Sequence, residues 1–444
     1  PMVSYGASYT FSEGASLKKS CTTEDGCVLM DFDVKAVPRD GYTAVIVIFP
    51  DASNSYRITI SGCMMNSVNN LVVLFEKMPS LIEVYEAGRF VIIFAGLIPT
   101  MNLVKSAALQ LDPIKETQQL LSSLSGQNSK AGFQITAHIS GSIMNTGVFP
   151  MLAASVPKNS NLIFRKEITE ASIRGMASSV VWSPFFVAFA VGQIYIDNYN
   201  SWLSLLIGLL IGSMFTLISV FALNKNLNFI LLKRSLNCLR PIFKFLIIVM
   251  GIIVSFSLYF NLTALSAVIF VMPILILIFF IKNLKKLQNI FSLTVNSMRT
   301  NIDDIVIISL AMMIGFIITN TSNQNFLYGY FDFKQVPNFL IFILIPLIMC
   351  VLSILCIHPV ISSTILLTIF SSSVFDINHA LLMQAHLIGW CTGTLSSVAS
   401  LTVITCSNLF TVPSLRIAFG ENIFVVVLFS IFGGAVLGLL NLII

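Results

Sequence analysis

The sequence predicts an all-α polytopic membrane protein of about ten or eleven transmembrane helices, with two broken or re-entrant segments and a small N-terminal β-rich unit. Three observations carry that expectation. Of 444 residues, 56% are hydrophobic and 10% charged, against about 25% charged in soluble domains. The mean hydropathy is +0.89, and uncharged apolar stretches of roughly 20 residues, the length that crosses a bilayer as a helix, recur along the chain. No run of alternating ten-residue strands marks an outer-membrane barrel. The 36 Phe outnumber the 3 Trp and 10 Tyr together, which suits lipid-facing helices.

The first 90 residues hold ten of the twenty acidic side chains, so a polar unit over 1–89 precedes the membrane part. Within it 27–37, 42–49 and 56–63 are rich in β-branched and aromatic residues, and Pro38–Gly41 and Pro50–Asn54 separate them as turns, which reads as a three-stranded meander. Such a sheet is marginal alone, so it packs on something else or is a flexible tail. No basic n-region with an apolar core follows Pro1, so no secretory signal is expected. The eight cysteines form no CxxC pair, and the last four lie in apolar segments where thiols act as small hydrophobes; no metal site is expected.

Spans are expected at about 90–108, 134–156, 173–196, 202–223, 242–260, 262–281, 304–320, 336–357, 358–374, 380–411 and 422–444. Alternate loops separate the basic residues. Fourteen (Lys158, Arg165, Lys166, Arg174, Lys225, Lys233, Arg234, Arg240, Lys244, Lys282, Lys285, Lys286, Arg299, Arg416) fall on one side and three (Lys115, Lys130, Lys334) on the other. By the positive-inside rule this places the N-terminal unit in the cytoplasm and Ile444 outside. The stretch 282–303, with Leu284, Leu287, Ile290 and Phe291 at helical spacing beside Lys285 and Lys286, is an amphipathic basic linker or a helix on the membrane surface. It divides a first membrane half, 90–281, from a second, 304–444. Each half holds a polar glycine-bearing segment, a basic loop and an apolar span, as in carriers built from repeats.

Backbone freed from a helix in hydrocarbon must face protein or a watery cavity. Three segments are polar enough to be broken: 134–150, with His138, Ser142, Asn145 and Thr146; 178–186, where Pro184 follows Ser183; and 386–408, with His386, Thr394, Ser396, Ser397 and Asn408. Ser142, Asn145, Thr146, Ser183, Thr394, Ser396 and Ser397 are the expected substrate-binding residues, since hydroxyls, amides and helix N-termini suit an anion. His138, His386 and Asn408 are the expected proton- or ion-coupling residues. The bland counterpart is small-residue helix packing for the segments and a satisfied neutral histidine for each imidazole. Lys105, after Pro99, either draws an anion or snorkels. No carboxylate is embedded at depth; Asp303 and Asp304 read as helix caps. An anion is therefore the better substrate guess. No phosphate loop, nucleophile elbow or HExxH helix occurs, and the chain reads as no enzyme.

At these segments the sequence resembles the ion transporter superfamily, the inverted-repeat secondary carriers that include dicarboxylate and citrate symporters, arsenite permeases and the large subunits of tripartite carriers. The resemblance covers about 90–444 and rests on segment order. It implies a re-entrant hairpin and an interrupted helix in each half. Ser142 with Asn145-Thr146, and Thr394 with Ser396-Ser397, stand nearest the family's Ser-Asn-Thr tips, and Ser183-Pro184 nearest a helix break. The strict triplet is absent, and the loop charges place 134–156 and 380–411 in the same direction. The expected function is a secondary active transporter moving a small organic or inorganic anion across the inner (plasma) membrane on a sodium or proton gradient. No cofactor is expected beyond sodium as a coupling ion. Expected partners are the lipid bilayer, the anion and a homodimer copy, with no nucleic acid. The alternative is a membrane enzyme or polymer-handling protein of envelope assembly acting on a lipid-linked substrate. A structural or channel subunit is a third reading.

Overall fold

The computed structural model describes residues 80–443, without 125–126, 158, 197–198, 225–227, 301–305, 307, 311, 314–315, 317–335 and 372–374; before residue 80 it describes only the backbone of five strands, 15–18, 31–34, 43–48, 56–64 and 67–75. The chain divides into two compact units, Pro1–Met78 and Pro79–Ile444. A packed β-rich unit over 1–89 gains no support. Its last residues are helical, because Ser80 and Glu83 form a capping box that starts a helix at Leu81. The turns expected at 38–41 and 50–54, and most of the span expected at 304–320, lie outside the described residues.

From Leu81 onward the described chain is all α. The helices are α1 Leu81–Val91, α2 Ile93–Ala108, α3 Asp112–Ser122, α4 Gln127–Met144, α5 Val148–Ala154, α6 Leu162–Ser179, α7 Val187–Tyr195, α8 Ser201–Leu223, α9 Phe229–Asn237, α10 Arg240–Phe260, α11 Ala264–Phe280, α12 Leu284–Thr300, α13 Asn338–Ile354, α14 Pro359–Phe370, α15 His379–Ser396, α16 Leu401–Phe410, α17 Ser414–Ala418 and α18 Asn422–Leu440. Five helical stretches, Leu81–Ala108, Ser201–Leu223, Arg240–Phe260, His379–Phe410 and Asn422–Leu440, are long and apolar enough to cross a membrane. The linker expected at 282–303 is α12.

Side-chain pairs fix the run of the helices. Along α4 and α6, Arg174 lies beside Gln134, Ser178 beside His138 and Ser183 beside Ser142, so the two helices run parallel. The chain between them has to turn back, which makes α4 and α5 the two arms of a hairpin with its tip at Asn145–Gly147. The same logic applies to α13 and α15. Asn338 bonds the Asp376 carbonyl just before α15, Cys350 lies 3.8 Å from Ser396, and a Cβ on Gly393 would come 2.5 Å from Ser353 Oγ. These helices are parallel too, and α13 and α14 are the arms of a second hairpin whose tip is 355–358. The expected single crossing at 134–156 is thus a hairpin. So is the expected pair of crossings at 336–357 and 358–374, because hydropathy cannot tell a returning arm from a crossing one.

Each hairpin is followed by a helix broken in the middle, α6–α7 over 180–186 and α15–α16 over 397–400, and by a long closing helix, α8 or α18. Both closing helices run antiparallel to their hairpin arm. Ser219 bonds Gln134, and a Cβ on Gly208 or Gly212 would run into the Val181 or Ser178 carbonyl. In the second set, Ser430 reaches the Pro346 carbonyl, and Gly434 and Gly438 sit against the carbonyls of Phe342 and Phe339. Glycines four apart therefore let both closing helices touch backbone. The two sets run in opposite senses. Ser204 bonds Ala380 and Gln384, and a Cβ on Gly208 would meet Gln384, so α8 runs parallel to α15; because α8 is antiparallel to α6, the broken helix α6 is antiparallel to its counterpart α15. Residues 127–223 and 338–440 are two repeats of one plan, inverted. The exchange is reciprocal: α7 packs on α14, and α16 on α5.

Candidate functional site

Every break in a buried helix frees carbonyls and amides that cost several kcal/mol each if left bare. In the first repeat Pro184 ends the helical ladder, and Ser183 repairs it: its hydroxyl donates to the Ser142 carbonyl and accepts from the Phe185 amide at 3.2 Å. That one side chain ties the break to the hairpin next to its tip. In the second repeat Ser400 does the equivalent work, donating to the Thr394 carbonyl at 2.8 Å and capping α16 by accepting from the Val403 amide at 3.1 Å. Both breaks use a serine hydroxyl as donor and acceptor at once.

The two hairpin tips share a backbone conformation. Asn145 has φ 51° and Cys356 φ 66°, both left-handed, a region that Asn tolerates and other non-glycine residues rarely enter. Asn145 Oδ1 accepts the Thr146 amide at 2.7 Å; His358 Nδ1 accepts the Val360 amide at 3.2 Å. Each tip lies beside the break of its own repeat, through Ser142 and Ser183 in one and through Ser353, Pro359 and Gly393 in the other.

The expected site residues fall into two groups. Most hydroxyls are already engaged. Ser142 donates to the Ile139 carbonyl, Thr394 to the Cys391 carbonyl and Ser396 to the Thr392 carbonyl. In contrast, Asn145 Nδ2, Thr146 Oγ1 and Ser397 Oγ carry no hydrogen bond among the described residues, and Asn145 and Thr146 are only half-buried. Asn408 is exposed on α16, more than two turns past the break, and is not gathered with the others.

Both deep histidines are hydrogen-bonded to neighbouring helices. His386 Nε2 donates to the Ala188 carbonyl at 2.8 Å, so Nδ1 is left to accept from Ser363 at 2.8 Å. His138 Nδ1 meets Ser178 at 2.8 Å, while the Ser178 hydroxyl donates to the Gly175 carbonyl; the network is complete with the proton on Nδ1 and a longer 3.4 Å contact from Ser213 to Nε2. Each imidazole ties helices together through these bonds.

Three features escape the sequence. The second tip, with Ser353, Cys356 and His358, was hidden because Cys-Ile-His-Pro looks like a boundary between two crossings. Arg174, counted with the loop charges, is 3% exposed; its Nε donates to Gln134 at 3.1 Å and its Nη1 to Asn422 at 2.6 Å. Glu170, one turn earlier, accepts the Glu421 amide at 3.2 Å and lies 3.5 Å from Lys166, which completes a polar seam between the repeats. Lys105 lies along Gly147, where a Cβ would strike its side chain. Among the described residues no three His, Cys, Asp or Glu side chains gather to hold a metal ion. Compared with known proteins, the chain matches no family model and no curated protein.

Proposed function

We propose that the chain is a secondary active transporter that moves a small organic or inorganic anion across the inner membrane on a sodium or proton gradient. The observation that carries this reading is the pairing, in each of two inverted repeats, of a hairpin tip with a helix break. Around those pairs stand uncommitted donors, Asn145, Thr146 and Ser397, while the buried carboxylate among the described residues, Glu170, is engaged by Lys166 and the Glu421 amide. Inverted repeats with discontinuous helices are the plan on which alternating access is built, and the order hairpin, broken helix, closing helix is what the resemblance to the ion transporter superfamily implies. Sodium fits as coupling ion because breaks expose carbonyl oxygens to a cation. Proton coupling through His138 or His386 would cost the hydrogen bond that its unprotonated nitrogen accepts, from Ser213 or Ser363.

Hairpins that return to their side also change the topology we propose. With 134–156 and 336–374 re-entrant, the loops at 109–133 and 157–172 share a side. Lys115 and Lys130 then join the fourteen basic residues, while Lys334 lies opposite together with Lys18, Lys19, Lys35, Arg39, Arg57, Lys77 and Arg89 of the chain ahead of the first span, so the re-entrant hairpins and not the loop charges carry this topology. Supporting this reading, α2 passes α7 and the first tip while α3 continues along the hairpin base, where Gln118 bonds the Met151 carbonyl. The chain ahead of Leu81 then emerges outside, not in the cytoplasm, and Ile444 stays outside.

Purified protein in liposomes tests the transport reading through uptake of labelled succinate, citrate, phosphate and sulfate under imposed sodium and proton gradients. Gradient-dependent accumulation of one of them is expected; absence of flux for all four overturns the reading. A phosphatase fusion ahead of Leu81 that is active in whole cells is expected from the topology, and an inactive one refutes it.

A further inference from the structure

At the second hairpin tip, His358 stands where α14 begins. Its first free amides are taken: Val360 N–H goes to His358 Nδ1 at 3.2 Å and Ile361 N–H to the His358 carbonyl at 3.0 Å. The helix start therefore has little left to offer a ligand. The imidazole does. Because Nδ1 accepts a backbone N–H it cannot carry a proton of its own, so the neutral ring carries its hydrogen on Nε2. Nε2 has no hydrogen-bond partner among the described residues, and the ring is half-buried, edge-on to Trp390 at 6.0 Å between centroids. An N–H in that state can only donate.

A second observation points the same way. Ser353, on the last turn of α13, is fully buried, yet its hydroxyl has no partner, and an orphaned buried hydroxyl costs about 1–3 kcal/mol. It sits at the Gly393 turn of α15, where a Cβ would be 2.5 Å from Ser353 Oγ and 3.2 Å from Pro359 Cγ. The next turn of α15 leads to Ser397, whose hydroxyl is also uncommitted.

We propose that His358 Nε2–H is the donor by which the second repeat binds the transported anion, so that the substrate class is a carboxylate or oxyanion presenting an oxygen acceptor, with His358 as a specificity-determining residue. Resting on the transport reading above, it adds a residue and a bond: one fixed N–H from the second tip, opposite in origin to the amide and hydroxyl of the first. A cationic substrate is disfavoured at this tip because the Nε2–H has no lone pair to give it.

The geometry separates this role from helix capping. Asn at 358 can accept the Val360 amide as Nδ1 does, but its side chain ends there; Gln reaches the position of Nε2 and offers an N–H, while capping poorly. His358→Asn is expected to stay folded and to lose roughly tenfold or more in apparent affinity for the anion that the wild type takes up, the worth of a hydrogen bond to a charged group. His358→Gln should lie within about threefold of wild type. Equal affinity of wild type and His358→Asn, with wild-type flux intact, overturns this inference alone. Loss of wild-type flux for succinate, citrate, phosphate and sulfate alike overturns it together with the transport reading. A measurement that needs no variant stands beside these: alkylation of Cys356 by N-ethylmaleimide in the wild type, read by mass spectrometry, should slow several-fold in the saturating anion, and an unchanged rate refutes occupancy of this tip.

Discussion

The two hairpin tips have the same backbone and different chemistry. Both turn on a left-handed residue, both lie beside a broken helix, and both satisfy one amide with a side chain two or fewer residues away. The first does so with Asn145 and keeps an amide and a hydroxyl in reserve. The second does so with His358 and keeps one imidazole N–H. A fold repeated in inverted order thus repeats its geometry, because the breaks must be sealed in both places, while the groups left over for a ligand are free to differ. Experiments that treat the repeats as equivalent should agree on stability and disagree on binding.

The largest effect is expected where the repeats are joined. Arg174→Ala removes a buried guanidinium bonded to Gln134 and Asn422 and strands their carbonyl oxygens beside Glu170. Breaking a buried charge network typically costs about 3–5 kcal/mol, so detergent-purified Arg174→Ala should melt well below wild type or fail to fold. A melting curve unchanged from wild type would show that the seam between the repeats carries no stability.

Next come the glycines that place the closing helices and the arms. A Cβ on Gly175 would run into the Gln134 carbonyl and one on Gly434 would lie 2.5 Å from the Phe342 carbonyl; backbone cannot yield as a side-chain tip can. Gly175→Ala and Gly434→Ala should each destabilise by about 3 kcal/mol, the upper range for overpacking. Gly251→Ala, at an exposed position of α10 with nothing within 4 Å, should instead gain up to about 1 kcal/mol from helix propensity. Thermal melts of the three variants measure whether the two repeats are packed alike.

His386 and His138 make a smaller comparison. His386 bonds one carbonyl of the other repeat, whereas His138 bonds only within its own. His386→Phe should cost about 1–3 kcal/mol by orphaning the Ser363 hydroxyl and the Ala188 carbonyl. If proton-driven uptake persists in that variant once it is folded, the imidazole is a strut and not the coupling group.

Much of this layout is visible in the sequence, unevenly. The polar runs at 134–150, 178–186 and 386–408 do contain the first tip and both breaks, because Gly, Ser, Thr and Pro at membrane depth signal backbone that leaves the helix. Direction is not visible. The arms α4 and α5 have the hydropathy of one crossing, and only the contacts of Gln134, His138 and Ser142 with α6 reveal that the chain returns. The second tip is hidden for a related reason: Leu355, Cys356 and Ile357 are apolar, whereas Thr394 and Ser396, which most resemble a second Asn-Thr, have hydroxyls spent on their own helix. Arg174 was misread because a charge near a loop looks solvated until its partners, distant in sequence, are seen.

The smallest effect on stability is also the sharpest test of the comparison. Glycine enters the left-handed region without penalty, relieving about 1–2 kcal/mol of strain that an L side chain carries there, and gives back about 1 kcal/mol through the greater freedom of the unfolded chain. Asn145→Gly and Cys356→Gly should therefore both fold within about 1 kcal/mol of wild type. Their transport should differ. Asn145→Gly deletes the free Nδ2 donors of the first tip and should lower anion affinity by roughly tenfold. Cys356→Gly deletes a thiol that is no part of the proposed grip and leaves His358 in place, so uptake should stay within about twofold of wild type. Parallel losses in both variants would mean that the tips act through shape alone; full activity of Asn145→Gly would remove the first tip from the binding site while leaving the second to stand on His358.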